Sequence, residues 1–319
     1  MLDHSPRKDD LVHNIMIHQV GSGPLMTYLK SDGDIDLTVV TPSGKKIVND
    51  VLLVLESEKE KGRNTQARSS ADLVINDVQH IPAEVQLIKC MIQGTMIDIS
   101  FEQLGGLKTL EFLQKADELI GREHLFKRSV LLLKGWCFYE SRILGSAHGL
   151  ISTYGLQIMV LFIFNLFNSS IKGPFSVMHL FLNYYDKFDW DNFGITLQGP
   201  FKIASLPNIA LEKIPGDENE QVLFSDGFLQ QYREGHDVIN PAVRRNALYV
   251  IDPLRKNNNL CRGVNRGTLM RIRSALRFGS TTLNKILKTS TTTRLEAELE
   301  DFFKNTIQTM TKTASSVDS

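Results

Sequence analysis

The chain has 319 residues, of which 42% are hydrophobic, and its 36 basic side chains balance 36 acidic ones. This length predicts two domains with sizeable cores, and the zero formal net charge excludes any argument for a nucleic-acid or membrane partner from total charge. Three scattered cysteines, Cys90, Cys137 and Cys261, form neither a disulfide framework nor a zinc motif, so we expect an intracellular protein of the nucleus or cytoplasm.

The first part of the chain predicts a small α+β unit. The N-terminal residues are polar and contain no apolar signal core. The predicted elements are strands at 14–20, 34–40, 84–91 and 95–101 and helices at 24–29 and 47–61. Residues 56–71 are polar and poor in apolar side chains, which predicts a mobile loop.

From about Gly105 onward, helical periodicity replaces strand alternation. The predicted helices are at 108–119, 124–140, 151–168, 174–185, 222–233, 240–248 and 281–311. The apolar run at 158–164 is far shorter than the roughly 20 residues that span a bilayer, so we interpret it as a buried helix.

Three carboxylates stand out in the predicted strands of the first part. Asp34 and Asp36 fall on the same strand face, with Cα atoms roughly 6.6 Å apart. Asp98 lies in a second alternating strand, where its apolar neighbours point to the other face. Converging carboxylates are what a two-metal phosphoryl-transfer site requires, because Mg²⁺ takes few protein oxygens and keeps positions for phosphate and water. The alternative is that the first two acids are solvated surface residues at a strand edge.

The active-site signature of the nucleotidyltransferase superfamily resembles three segments of this chain, namely Gly21-Ser22, residues 24–29 and residues 32–37. The similarity is greatest to the plant-type poly(A) polymerase-like nucleotidyltransferases, a branch near the noncanonical poly(A) polymerases and terminal uridylyltransferases. It covers about residues 16–280. The later segments that agree in order are 78–90, 97–101, 126–145, 149–154, 188–192 and 252–254.

The resemblance implies an α+β fold with two domains. Residues 1–106 would form the nucleotidyltransferase palm, a mixed sheet with flanking helices whose N-terminus is apparently shortened. Residues 107–312 would form a mostly helical PAP/OAS1-type substrate-binding domain that contains a nucleotide-recognition loop at 252–262. Residues 313–319 would be a disordered tail.

The resemblance also implies chemistry. Asp34, Asp36 and Asp98 would be the catalytic residues and the ligands of two Mg²⁺ or Mn²⁺ ions, and Asp98 would help to deprotonate the attacking 3′-hydroxyl. Gly21 and Ser22 stand where a strand turns into a helix, so their backbone N–H groups and the serine hydroxyl can bind phosphate oxygens. An ordinary tight turn is the alternative for this pair.

Further nucleotide-binding residues are implied in the helical part. Lys134 would bind the triphosphate, although a lysine in an apolar helix commonly snorkels to solvent. Ser152 and Thr153 would meet phosphates at a helix N-terminus, and Tyr154 would stack on the base, with simple core packing as its alternative.

The recognition loop would contribute Asp252, Asn258, Asn259 and Arg262 to nucleotide binding. Uridylyl-specific relatives commonly have histidine where Asn258 falls, so ATP is favoured over UTP. Both asparagines are equally compatible with ordinary turn residues.

A run without acidic residues, 253–295, is suited to a polyanion such as a nucleotide or an RNA backbone. Its ten basic residues are Arg255, Lys256, Arg262, Arg266, Arg271, Arg273, Arg277, Lys285, Lys288 and Arg294. A solvated basic helix is the alternative.

The expected activity is template-independent addition of AMP, or less readily UMP, from an NTP to RNA 3′ ends, with no membrane involved. No separate RNA-recognition module is visible, so a partner protein could deliver the RNA. The sequence departs from the family pattern at Lys30-Ser31, Met26, Glu102 and Cys261. The altered loop and the apparently shortened N-terminus support a catalytically silent homologue that serves as a nucleotide- or RNA-binding scaffold, whereas the retention of Ser22, Asp34, Asp36 and Asp98 opposes it. A transferase that acts on a small molecule or a protein is the third hypothesis.

Overall fold

The computed structural model describes residues 15–29, 33–41, 47–64, 74–82, 85–212, 223–233, 246–289 and 291–314. The chain divides into two compact units, residues 1–114 and residues 115–319. The division falls a little after the boundary that the sequence predicted at residue 106.

The first unit is built on a mixed five-stranded sheet with the strand order β1-β2-β5-β4-β3. Its elements are β1 (Met16–Val20), α1 (Ser22–Leu25), β2 (Ile35–Val40), α2 (Val48–Asn64), β3 (Ile75–Ile81), β4 (Leu87–Ile92), β5 (Thr95–Phe101) and α3 (Leu104–Ile120), the last of which continues into the second unit. The central strand β5 is parallel to its neighbour β2, and the other strand pairs are antiparallel.

One face of this sheet packs against α2 through an apolar core. Val39, Ile88, Ile99 and Phe101 are buried there, together with Val48 at the start of the helix. Because side chains alternate along a strand, the residues between these positions point to the opposite face. This alternation fixes which face of the sheet carries the carboxylates.

Three expectations for the first unit need correction. The strand β3 was not predicted, and α1 begins at Ser22 and ends at Leu25 rather than covering 24–29. The helix α2 continues to Asn64, through part of the predicted loop at 56–71. The rest of that loop lies outside the described residues.

The second unit is mostly helical. Its elements are the end of α3, then α4 (Leu125–Gly135), a π-helix (Trp136–Glu140), α5 (Thr153–Phe167), α6 (Pro174–Lys187), β6 (Phe193–Thr196), β7 (Gly199–Lys202), α7 (Asp226–Arg233), α8 (Arg266–Ile286), α9 (Thr292–Phe302) and α10 (Lys304–Ala314). The α+β class, with a mixed sheet followed by a helical unit, is confirmed.

The helix α5 forms the centre of the second unit, since every residue from Ile158 to Phe164 has no exposed surface. This agrees with the buried helix that the sequence predicted. Among the described residues, no single helix is long and apolar enough to cross a membrane. The segments 153–170 and 174–187 reach that length only as a pair bent by 113°.

Some expectations for the second unit also need correction. The β6–β7 hairpin was not predicted, and 246–248 is not helical, whereas 240–245 lies outside the described residues. The predicted stretch at 281–311 is the end of α8 followed by α9 and α10. The helix α8 begins earlier than expected because the Asn265 side chain accepts a hydrogen bond from Thr268 N–H and caps it. Residues 315–319 of the predicted tail are outside the described part.

Candidate functional site

The parallel pairing of β2 with β5 places two predicted catalytic acids side by side. Asp36 and Asp98 are register partners, so their side chains leave the same face of the sheet. Asp34 directly precedes β2, where strand alternation would point it to that face as well. The structure therefore places Asp36 and Asp98 on one face of the sheet, as the sequence predicted.

Gly21 lies directly against this acidic face. Its φ of 76° is in the left-handed region, and a Cβ atom at this position would overlap Oδ2 of Asp36. Glycine is required here both for the backbone conformation and for the close approach. Ser22 follows as the first residue of α1, so the chain does turn from a strand into a helix at Gly21-Ser22.

The sequence did not identify Lys89, the side chain that pairs with Asp98. Lys89 faces Asp98 across the β4–β5 ladder, and its Nζ lies 2.5 Å from Asp98 Oδ2. The other carboxylate oxygen, Oδ1, is buried and accepts no hydrogen bond within the described part of the chain. A buried carboxylate oxygen without a donor is costly unless a cation or a proton supplies the missing partner.

The donor chemistry of this face fits a hard divalent cation, because all three acids offer carboxylate oxygens. Within the ranges that the structure describes, no three His, Cys, Asp or Glu side chains are grouped so that they could hold one metal ion. Asp98 is held toward Lys89, and Asp34 is exposed. Asp36 and the free Oδ1 of Asp98 are the groups best placed to hold an ion.

Glu102 has a structural role at the end of β5. Its φ is 55°, a conformation that asparagine adopts more readily than glutamate. Its Oε1 accepts hydrogen bonds from the backbone N–H and the hydroxyl of Thr41, both at 2.8 Å. These two bonds offset the less favourable backbone conformation.

In the second unit, four predicted nucleotide-binding residues form a hydrogen-bonded chain. The Tyr154 hydroxyl donates to Asp252 Oδ1 at 3.2 Å, and Asn258 Nδ2 donates to Asp252 Oδ2 at 3.0 Å. Arg262 then donates to Asn258 Oδ1 at 3.2 Å. Asp252 is only 5% exposed, and its two carboxylate oxygens hold the side chains of Tyr154 and Asn258 in place.

Other polar groups fix the shape of the recognition loop. The buried Asn259 side chain accepts from the N–H groups of Val250 and Cys261 and donates to the carbonyl of Leu248. Ser152 caps α5 and donates to the carbonyl of Leu260. The amide of Asn259 and the hydroxyl of Ser152 are therefore occupied by the loop itself, and a nucleotide contact by either residue stays a prediction.

Arg233 was also missed by the sequence analysis. Its Nε donates to the carbonyl of Pro253 at 2.7 Å, which ties the end of α7 to the loop. Its Nη1 bonds Asp226, and this hydrogen bond lowers the pKa of the Asp226 carboxyl. No sequence signal marked this arginine, because it lies outside every family segment.

Lys134 and Thr153 are the remaining predicted nucleotide-binding residues of the second unit. Lys134 is 1% exposed, so it does not extend its ammonium to solvent as a snorkelling lysine would. Thr153 is the first residue of α5 and is half-buried.

The segment 188–192 anchors the packing of α6. Trp190 is buried, stacks on Tyr185 at 5.6 Å and donates its Nε1–H to the Tyr185 carbonyl. Asp189 accepts hydrogen bonds from Asn192, and these lower the pKa of its carboxyl.

Comparison with known proteins agrees with these observations. Residues 120–307 match the PAP/OAS1 substrate-binding domain. No curated protein sequence matches the chain.

Several solved structures share the fold. Cid1 poly(U) polymerase is similar with a TM-score of 0.57 and 18% identity, over 89% of this chain and 84% of that chain. The polymerase core of TRAMP, an RNA surveillance complex, is similar with a TM-score of 0.60 and 19% identity, over 94% and 83%. A cytoplasmic RNA terminal U-transferase is similar with a TM-score of 0.57 and 17% identity, over 91% and 87%. Cid1, which is selective for UTP, has been seen with MgGTP bound.

Proposed function

The chain belongs to the PAP/OAS1 substrate-binding domain family, and from this premise we propose that it is a template-independent nucleotidyltransferase that extends RNA 3′ ends. The observation that carries the proposal is the pairing of Asp36 with Asp98 on adjacent parallel strands, with Gly21 packed against Asp36. The solved structures named above support it as relatives in fold.

Asp34, Asp36 and Asp98 would hold two Mg²⁺ or Mn²⁺ ions. Bound there, the ions would neutralise phosphate charge and lower the pKa of the attacking hydroxyl. The RNA 3′ oxygen forms a bond to the α-phosphorus of the NTP, and pyrophosphate leaves with the electron pair of the broken bond. Asp98 would assist the loss of the hydroxyl proton, and its Oδ1, which accepts no hydrogen bond among the described residues, is the oxygen open to an ion.

The second unit would bind the nucleotide. Tyr154 would stack on the base, and Asp252 would hold both Tyr154 and Asn258 in place through the hydrogen bonds described above. Lys134, Ser152, Thr153 and Arg262 would contact phosphates, and Gly21-Ser22 would do so from the first unit.

The finer assignments belong to the same proposal. Asn258 favours ATP over UTP, so AMP would be the unit added. The resemblance of segment 188–192 supports the plant-type branch as part of this proposal. An RNA 3′ end as acceptor suggests a nuclear or cytoplasmic protein, with RNA delivered by a partner.

A catalytically silent scaffold is the second candidate, favoured by the ion pair between Lys89 and Asp98. In such a protein the lysine would permanently occupy one carboxylate oxygen. Nucleotide or RNA would then bind without turnover.

The deciding experiment is the extension of a labelled oligoribonucleotide with each NTP separately, in Mg²⁺ and in Mn²⁺. The test variant is Asp34→Asn/Asp36→Asn, and the matched control is Asp50→Asn, an exposed acid of α2 in the same unit. Extension that the double variant loses and the control keeps would support the transferase.

A folded wild-type protein that binds ATP but extends no RNA would select the silent scaffold. Transfer of labelled AMP to a small molecule or a protein, without RNA extension, would select the third hypothesis.

A further inference from the structure

The basic residues of the run 253–295 differ in whether an acid pairs with them. Arg273, Arg277 and Arg294 each lie within 2.9 to 3.5 Å of a carboxylate. Their partners are Asp191, Asp186 and Glu298. Arg271 is exposed and, among the described residues, has no acidic partner; instead its Nη2 donates to the carbonyl of Arg142 at 2.6 Å.

Arg271 lines a cavity of about 670 Å³ that lies wholly within the second unit. Arg142 and His148 supply further nitrogen groups, and Phe138 and Tyr139 supply aromatic surface. No carboxylate is among the described residues that line it. A cavity with two arginines, aromatic rings and no acid is suited to a ligand that carries both phosphate and a flat base.

The local backbone explains why these side chains face outward. The π-helix, Trp136–Glu140, buries Trp136 but leaves Phe138 38% exposed, with its ring edge-on to Tyr139 at 5.1 Å. Arg142 follows with a φ of 51°, in the left-handed region. A π-helix and a non-glycine residue with a left-handed φ each carry a conformational cost, and both are common at binding sites.

The acid nearest in sequence, Glu140, does not line this cavity and is held by hydrogen bonds to α10. Glu140 Oε1 accepts from the backbone N–H of Thr306 at 2.7 Å and from its hydroxyl at 2.9 Å. Its Oε2 accepts from Asn305 at 2.7 Å. These hydrogen bonds engage both carboxylate oxygens with the start of α10.

A second basic cavity, beside Arg262 and Arg266, is a weaker candidate. It is lined by Asp191, and its Lys202 already pairs with Glu212 at 3.1 Å. It also contains part of the recognition loop, so it belongs to the nucleotide site. The cavity at Arg271 includes no residue of that loop.

We propose that the cavity at Arg271 binds RNA away from its 3′ terminus, with a backbone phosphate on Arg142 and Arg271 and one base stacked on Phe138. This inference rests on the proposed function, because it assigns a second contact to the same RNA. A cavity of about 670 Å³ falls within the range that encloses a small ligand, which suits a single nucleotide of a longer strand.

The test measures RNA affinity directly, by fluorescence anisotropy of a labelled oligoribonucleotide with the full chain and no NTP. Arg142→Gln and Arg271→Gln should each weaken binding and reduce the slope of log affinity against log salt by about one. Phe138→Ala should weaken binding by at least about fivefold, and should abolish the change in fluorescence that protein binding produces in a 2-aminopurine placed in the strand. Arg271→Lys should retain part of the affinity, since it keeps the charge.

Arg273→Gln and Arg277→Gln are the matched controls, because these arginines lie on the same helix but already pair with acids. They should leave the affinity and the salt slope unchanged. Thermal unfolding of each variant separates a lost contact from a lost fold.

Equal RNA affinity in the wild type and in Arg142→Gln, Arg271→Gln and Phe138→Ala would overturn the proposal, as would a wild type that binds no RNA. If the cavity variants lose binding of inorganic phosphate but keep the RNA affinity of the wild type, the proposal would also be overturned, in favour of a small-anion site. A wild type that binds RNA through this cavity but extends none would instead refute the proposed function alone.

Discussion

Lys89 Nζ lies 2.5 Å from Asp98 Oδ2, on the strand that flanks β5 on the side away from Asp36. The ammonium balances the carboxylate charge, and it would compete with a metal ion for the same oxygen. Both side chains are partly exposed, at 33% and 16%, so solvent screening limits the pair to about 1 kcal/mol.

We therefore expect Lys89→Met to lower the melting temperature in EDTA by a few degrees and to tighten Mn²⁺ binding. Thermal unfolding and a Mn²⁺ titration would measure the two effects, with Lys89→Arg as the charge-conserving control. If Mn²⁺ affinity stays the same in Lys89→Met, competition between the lysine and the metal is ruled out.

Gly21 and Gly94 provide a matched pair of substitutions in the first unit. Both have a left-handed φ, 76° and 79°, but a Cβ at Gly21 would overlap the Asp36 carboxylate whereas one at Gly94 would meet nothing within 4 Å. Each alanine variant should cost about 1 kcal/mol of unfolding free energy from backbone strain. Only Gly21→Ala should also displace Asp36 and abolish RNA extension. Equal extension by both variants would mean that Asp36 tolerates the displacement.

Asn259 and Asn258 are neighbours with different roles, and their alanine variants should separate those roles. Asn259→Ala leaves three buried backbone groups without a partner and should lower the free energy of unfolding by about 3 kcal/mol. Asn258→Ala removes contacts of a half-buried side chain and should cost about 1 kcal/mol. Urea unfolding measures the free energy of unfolding of both variants. Equal decreases in the two would contradict the role of Asn259 in holding the shape of the loop.

Strand alternation was sufficient to predict β2 and β5, and hence the common face of Asp36 and Asp98. The strand β3 was missed for a physical reason. It is an edge strand whose register shifts between Asn76 and Gln79, and Asp77 has a φ of 50°, so its side chains do not keep a period of two. The sequence also predicted a loop where α2 continues, because glutamate and lysine favour a helix without supplying apolar periodicity.

The contacts that shape the candidate site depend on tertiary structure. Tyr154 and Asp252 are 98 residues apart in sequence, and Arg233 reaches the carbonyl of Pro253 from a different helix. Lys89 was missed because a charged residue in a strand is normally solvated surface. Only the β4–β5 register places it opposite Asp98.

The three cysteines should be unreactive in the folded protein. All are free and buried. Burial raises the pKa of the Cys261 thiol to about 12 and also raises the pKa of Cys137 and of Cys90, where the charge of Asp98 adds to the effect. At pH 8 a thiol reagent should label no cysteine in the native state and all three in urea. Because the folded pKa values exceed the unfolded value of about 8.5, stability should fall as the pH rises above that value. Rapid labelling of native protein would contradict the burial of these residues.

Asn258 is the residue at which the choice between ATP and UTP can be tested. Its amide donates to Asp252 and accepts from Arg262, so both ends of the side chain are oriented. A histidine there could keep the bond to Asp252 through one ring N–H, but it cannot also offer the amide's oxygen. We expect Asn258→His to shift the ratio of kcat/KM for UTP over ATP by about tenfold or more toward UTP. The control is Asn257→His, which adds the same ring at the preceding, exposed position. Extension assays with each NTP give the ratio, and an unchanged ratio in a folded Asn258→His variant would place nucleotide selection at another residue.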